Sequence, residues 1–173
     1  MGTVKDEIKQ TRPFASPANE AVVTLLRTAD KLRTSLSAVV EAHGITLQQY
    51  NVLRILRGAG EAGLPTLEIA ARMIEHNPGI TRLLDRLERK KLVRRERCPH
   101  DRRQVLCHAT PLALRTLRAT DGPLERAGER ALAALERARL TELVRLLDAI
   151  RTPASSTIPE ETEEKKSQKE TRA

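Results

Sequence analysis

Aromatic residues are almost missing from this 173-residue chain, which holds Phe14, Tyr50 and no Trp. A core without rings must be built from Leu, Ile, Val and Ala, which favours packed helices over a sandwich or barrel. The same shortage argues against nucleic-acid binding by base stacking, which needs aromatic platforms. Long apolar runs are missing too, since no stretch approaches the roughly 20 residues of a membrane span. Residues 1–10 are charged and lack the apolar segment of a secretory signal. Cysteine is confined to Cys98 and Cys107, too few for a disulfide scaffold, so reduced thiols and a cytoplasmic setting are expected. Catalytic signatures are absent: no G-x-S-x-G, no P-loop, no Rossmann glycine pattern and no His-Glu-x-x-His. Neither enzymatic activity nor a cofactor is expected.

Positive charge is what the chain has in excess. Its 31 Lys and Arg outnumber 23 Asp and Glu, for a net charge of +8. Such a balance calls for an anionic partner, nucleic acid ahead of anionic membrane. A helix laid in a duplex groove needs no aromatic side chain.

Polar residues, Pro13 and Pro17 mark residues 1–18 as an arm, with a short helical piece about residues 6–10. Residues 153–173 carry one large apolar residue, Ile158, and are expected to form a disordered tail. The folded part is therefore residues 19–152. Val22, Leu25, Leu26, Ala29, Leu32, Leu36, Val39 and Val40 recur at helical spacing and end at His43-Gly44, where glycine supplies a left-handed terminus. Thr46 and Gln49 have capping-box spacing and open a second helix. Gly58, Gly60, Gly63 and Pro65 read as a loop, and Thr66 as the cap of a short third helix. Asn77-Pro78 suits the start of a fourth, whose apolar stripe is Ile80, Leu83, Leu84 and Leu87. Two β-rich runs around residues 99–103 predict a hairpin. Thr110-Pro111 opens a last helical region to Arg151, which Gly122-Pro123 should kink or split.

A short helix, a tight turn, a second helix and a hairpin make the winged helix-turn-helix plan, in which the second helix enters the major groove of DNA. Charge is concentrated where that plan needs it. From Arg82 to Arg103 there are ten cations against four anions, a net of +6. A solvated charged face would explain mixed charge but not this concentration.

The run GITRLLDRLERKKLVRRE followed by DRRQVLCHATP resembles the multiple-antibiotic-resistance-regulator (MarR) family of winged-helix repressors. The resemblance covers residues 19–152. It implies a mainly helical fold with a small β-hairpin wing, a DNA-binding lobe at residues 46–110, and dimerisation helices at residues 19–43 and 111–151. It also implies a homodimer on a pseudo-palindromic double-stranded operator, released by a small molecule or an oxidant. A ligand-independent architectural DNA binder is the alternative. Carried over by position, Asn77, Pro78, Gly79 and Thr81 face bases, and Arg82 reaches phosphate or a base. Arg86 and Arg95 belong to the same cationic surface. At the wing tip, the Asp101 carboxylate holds Arg103 extended toward the minor groove, and Arg102 is placed to share that role. Gly79, lacking a side chain, lets the helix approach the DNA backbone. Two positions depart from the family: Lys91 and Ala113 stand where glycine is usual. A left-handed Lys91 would cost on the order of 1 kcal/mol.

Other residues admit two readings. Cys98 and Cys107 lie on opposite arms of the hairpin, as a thiol switch or as ordinary packing residues. With His100 and His108 they offer zinc donors, but not at a standard spacing, so no metal is expected. His43 and Tyr50 flank the junction of the first two helices, as an anionic effector's contacts or as a helix-end residue and a core residue. The stripes at Val22–Val40 and Leu124–Ile150 hold more apolar surface than one small lobe covers, and a second subunit is the simplest cover.

Overall fold

The computed structural model describes residues 2–75, 78–98 and 104–152. The chain divides after Leu132 into two units. In the first, a four-residue helix α1 (Val4–Glu7) precedes the long α2 (Pro17–Glu41) and then α3 (Leu47–Ala59). A 3-10 turn at Gly60–Ala62 leads to a short strand β1 (Leu64–Pro65), and α4 (Thr66–Ala71) and α5 (Ile80–Arg89) follow. The hairpin strands β2 (Val93–Arg97) and β3 (Val105–Ala109) lead into α6 (Pro111–Ala131). The second unit contains α7 (Arg137–Arg151). Among the described residues no helix is long and apolar enough to cross a membrane.

Caps explain most boundaries. The Ser16 hydroxyl accepts from the Asn19 N–H at 3.1 Å, and Pro17 occupies the first helical position of α2. The long helix therefore begins inside the stretch expected to be an arm. Thr46 and Gln49 form the expected capping box of α3. Thr110 caps α6 through the Ala113 N–H at 3.2 Å, with Pro111 next.

Three expectations need correction. Thr66 is the first residue of α4 and not its cap, because Leu64 and Pro65 before it pair with β3. Proline lacks an N–H and so suits this sheet-edge position, which the glycine-rich context disguised as loop. Pro78 lies in a turn, and α5 starts at Ile80 with Gly79 as a cap that has no side chain to offer. The Asn77 cap lies outside the described residues. Third, α6 runs through Gly122-Pro123 without a break and ends at Ala131. An interior proline costs about 3 kcal/mol or more. Packing of α6 on α2 and α3, with Leu117, Thr120 and Ala127 buried on both sides of it, opposes that cost.

The core is aliphatic, as the composition requires. Val52, Leu53, Leu56, Ile69, Leu84, Leu87 and Leu117 are each at most 1% exposed. Each contributes roughly 1.5–3 kcal/mol by leaving water. The sheet order is β1-β3-β2, antiparallel throughout. In the wing Arg95 stands opposite Cys107, and Arg97 opposite Val105.

Helices α2 and α5 end in the same motif. After α2, the Gly44 N–H donates to Glu41 O at 2.9 Å and the Ile45 N–H to Val40 O at 3.3 Å. After α5, the Lys91 N–H donates to Glu88 O at 2.8 Å and the Leu92 N–H to Leu87 O at 2.9 Å. Both are Schellman terminations closed by a buried apolar residue, Ile45 or Leu92. The left-handed residue is Gly44 (φ 72°) in one and Lys91 (φ 58°) in the other. The chain thus keeps the turn but replaces the residue that adopts it freely. Lys91→Gly should stabilise the fold by about 1 kcal/mol, and Gly44→Lys should cost a similar amount. Urea denaturation midpoints check both, and a lowered midpoint for Lys91→Gly would contradict the account.

Candidate nucleic-acid interface

The hydrophobic spacing of α5 sets its orientation. Ile80, Leu83, Leu84 and Leu87 are buried, and the helix packs on α4 and β2. Thr81, Arg82, Arg86 and Arg89 are consequently exposed on its other side. Among the described residues, none of these three arginines enters an ion pair. Pro78 is exposed and Gly79 half-buried at the start of this surface. Arg94 and Arg97 of β2 are exposed as well, Arg94 paired with Glu96. The arrangement presents a helix bearing hydroxyl and guanidinium groups beside a cationic strand, the donor set that contacts phosphates and base edges. Asn77, Asp101, Arg102, Arg103 and His100 lie outside the described residues, as does the tail expected at residues 153–173.

Arg95 differs from its expected role as a DNA contact. Its side chain is 22% exposed, 2.7 Å from Asp85 Oδ1 and 3.7 Å from Glu88 Oε2. It also donates to Thr81 O at 3.4 Å. Arg95 therefore braces the wing strand against α5. Its place opposite the buried Cys107, on the covered side of the strand, explains why it turns inward. The signal was in the sequence: Asp85 and Glu88 sit three apart on one helical face.

The two cysteines are separated by the register. Cys107 stands opposite Arg95, whereas the Cys98 N–H donates to Gln104 O at 3.0 Å, so Cys98 lies three positions farther along the ladder. At about 3.3 Å per residue this exceeds the Cα separation a disulfide spans. Cys107 is fully buried, and burial pushes its thiol pKa up despite nearby Arg95. That is the opposite of an activated thiol. Among the described residues, no group of three or more His, Cys, Asp or Glu is placed to hold a metal ion.

Tyr50 is 7% exposed and joins α3 to α6. Its hydroxyl donates to Asp121 Oδ1 at 2.7 Å, and Arg57 Nη1 donates to Asp121 Oδ2 at 2.6 Å. Arg54 lies 5.9 Å from the ring centroid, in cation–π range. Tyr50 and Arg54 line two clefts, one of about 420 Å³ with Arg57, Asp121 and Glu125, the other of about 380 Å³ with Leu32, Leu36 and Met73. His43 lines neither. It sits in the turn after α2, so of the two candidate effector residues Tyr50 is the one that lines these two clefts.

Burial raises the Asp121 pKa, but the Arg57 and Tyr50 hydrogen bonds outweigh it and hold the carboxyl below its ordinary value. For Tyr50 all the main causes act together. Burial, then the Asp121 hydrogen bond and its negative charge, push the phenol up to about 12. A pKa raised by folding means that this stabilisation is complete below pH about 10 and is lost as pH climbs toward 12. With one tyrosine and no tryptophan, phenolate absorbance reports Tyr50 alone. The folded protein should show little phenolate at pH 10, where the urea-unfolded chain is about half titrated. Superimposable titrations would refute the buried Tyr50–Asp121 bond.

Comparison with known proteins agrees with this geometry. The family model described as MarR family matches residues 45–105. A MarR transcription factor from Planctomyces limnophilus is 38% identical, covering 79% of this chain and 98% of its own, with a TM-score of 0.61. The Staphylococcus aureus MepR–DNA complex is similar in fold, at 22% identity, 73% and 93% coverage and a TM-score of 0.67. So is CouR from Rhodococcus jostii RHA1 bound to p-coumaroyl-CoA, at 22% identity, 82% and 99% coverage and a TM-score of 0.67. The winged helix-turn-helix of α3 to β3, the match over residues 45–105 and the near-complete overlap with the Planctomyces protein place this chain in the MarR family of transcriptional regulators.

Proposed function

We propose that the chain is a sequence-specific repressor that binds double-stranded DNA as a homodimer and is released by a small molecule. The observation that carries this reading is α5: its apolar face is fully occupied by the core, while Thr81, Arg82, Arg86 and Arg89 face outward. Arg82 and Arg86 supply phosphate contacts, and Pro78, Gly79 and Thr81 approach the bases. By sequence Asn77 belongs with them, and Asp101, Arg102 and Arg103 are assigned to minor-groove contact by the resemblance in the run that joins β2 to β3. The similarity to MepR in a DNA complex supports the DNA-binding reading at the level of fold.

Dimerisation is inferred from uncovered apolar surface. In α2, Val22 is 54% and Leu26 68% exposed, and in α7 Val144 is 58% and Ile150 63% exposed. A second copy related by a two-fold axis covers such stripes. The clefts beside Tyr50 provide room for an effector, and CouR, a protein of similar fold bound to p-coumaroyl-CoA, supports that reading. An oxidant signal through Cys98 and Cys107 has less support, given their register.

Selection from a pool of random duplexes tests the reading. It should enrich a pseudo-palindrome with half-sites about 10 base pairs apart, preferred over random duplex roughly a thousandfold. No enrichment would favour an architectural binder. Sedimentation should show a dimer of the 19.3 kDa chain, and a monomer at micromolar concentration would contradict it. On the selected duplex, Thr81→Ala should reduce preference over random DNA. Arg103→Ala should weaken binding to both and lower the salt slope by roughly two per dimer. Asp101→Ala should also weaken binding, although it removes a negative charge. Tighter binding by Asp101→Ala at every salt concentration would overturn its bracing role.

A further inference from the structure

The residue after α5 and the segment that follows α4 are both tethered to the α2–α3 pair. At the C-terminal end, Lys90 Nζ donates to Gly44 O at 2.6 Å and to Gln49 Oε1 at 3.1 Å. Gln49 is 3% exposed, and the same amide oxygen accepts the Thr46 N–H at 3.2 Å. This anchor joins a turn carbonyl, a buried amide and a helix cap. At the N-terminal end the tether reaches the segment leading into α5. Glu75 Oε1 accepts from Arg33 Nε of α2 at 2.9 Å, and Glu75 Oε2 accepts from Gln48 Nε2 of α3 at 3.2 Å. The preceding Ile74 N–H donates to Asn51 Oδ1 at 2.9 Å.

The two tethers differ in their surroundings. The Arg33 and Glu75 side chains are 52% and 41% exposed, so solvent screens their attraction. Arg33 also has Asp30 Oδ1 at 3.9 Å as a competing partner. Both Arg33 and Glu75 line the 380 Å³ cleft, with Leu32, Leu36, Tyr50 and Met73. The Lys90 anchor is not part of that cleft. The C-terminal end is held by the Lys90 anchor and the buried Leu92, and the segment before α5 by the exposed Arg33 ion pair together with the Gln48 and Asn51 hydrogen bonds.

We propose that Glu75 is a positioning residue for DNA recognition: its pairing with Arg33 sets the approach of α5, with the Lys90 end as the pivot. The proposal rests on the DNA-binding reading of α5 and assigns regulation to the same site. An occupant of the cleft that draws Arg33 away removes the charged part of this tether and leaves the Lys90 end in place. A surface ion pair without this role would contribute nothing measurable to α5.

A double-mutant cycle on the full chain tests it, with Arg33→Gln, Glu75→Gln, the double variant, and Arg33→Lys as the charge-conserving control. Two readouts are used: amide hydrogen exchange at Leu83 and Leu84 in the DNA-free protein, and affinity for the duplex selected by the wild-type chain. The Leu83 N–H donates to Gly79 O at 3.1 Å, a hydrogen bond of the first turn. Each single variant should accelerate this exchange roughly threefold or more and weaken binding to the selected duplex by a similar factor. Affinity for random duplex should change less than twofold, and Arg33→Lys should retain most of the wild-type behaviour. The double variant should match the singles rather than multiply their effects. Exchange unchanged in both singles, or multiplicative effects in the double, overturns the proposal. Should no duplex be selected, the DNA-binding reading fails, and exchange alone still decides whether the tether orders α5.

Discussion

Burial of Ile80, Leu83, Leu84 and Leu87 under α4 and β2 is the constraint on which the rest of this molecule depends. Once those four residues are committed to the core, helical geometry leaves Arg82, Arg86 and Arg89 nowhere to go but outward. The wing is then locked to the same helix by Arg95, which reaches Asp85, Glu88 and the Thr81 carbonyl. A mobile hairpin would lose chain entropy on every encounter with DNA, whereas a braced one has already lost it on folding. Removing Asp85 would leave the Arg95 guanidinium, 22% exposed, short of an acceptor, whereas the two carboxylates are nearly half exposed and remain solvated without Arg95.

The aliphatic core follows from the same economy of residue types. Among the described residues of the first unit Tyr50 is the one buried Phe, Tyr or Trp side chain, so packing relies on leucine, isoleucine and valine, and Tyr50 joins two helices through its hydroxyl. Tyr50 and Arg57 on α3 converge on Asp121 of α6, so the lobe carrying α5 is linked to a long helix by a polar contact rather than by packing alone. The clefts open beside this contact. A group entering them meets guanidinium, carboxylate and phenol at once, in a network where Arg57 and Tyr50 hold the Asp121 carboxyl low and Asp121 helps to hold the phenol up.

Much of the fold was legible in the sequence because local signals and the global pattern agreed. The Thr46–Gln49 capping box, the Gly44 terminus, the Thr110-Pro111 start and the α5 stripe each lie where expected. What was not legible involved partners distant in sequence. Two residues of β1 carry no periodicity of their own, and only β3, some forty positions later, makes them a strand. Pro17 suggests a breaker when taken alone, but the Ser16 cap before it makes it the first residue of α2. Pro123 misled in the other direction, since neighbouring helices hold α6 together across it. Arg95 is indistinguishable from the outward cations in the sequence, because charge is visible there and direction is not. The face it occupies depends on a strand register that alternation in a five-residue run cannot set.

The central claim is that DNA meets the polar face of α5 and the wing, with the remainder of the chain holding them in place. Amide chemical-shift mapping on titration with a selected duplex tests it most directly. The account predicts that the largest changes fall at residues 78–86 and along β2 and β3, with α2 and the Tyr50–Asp121 contact far less affected. Changes concentrated on α2 or α6, with residues 78–86 unmoved by saturating DNA, would contradict it.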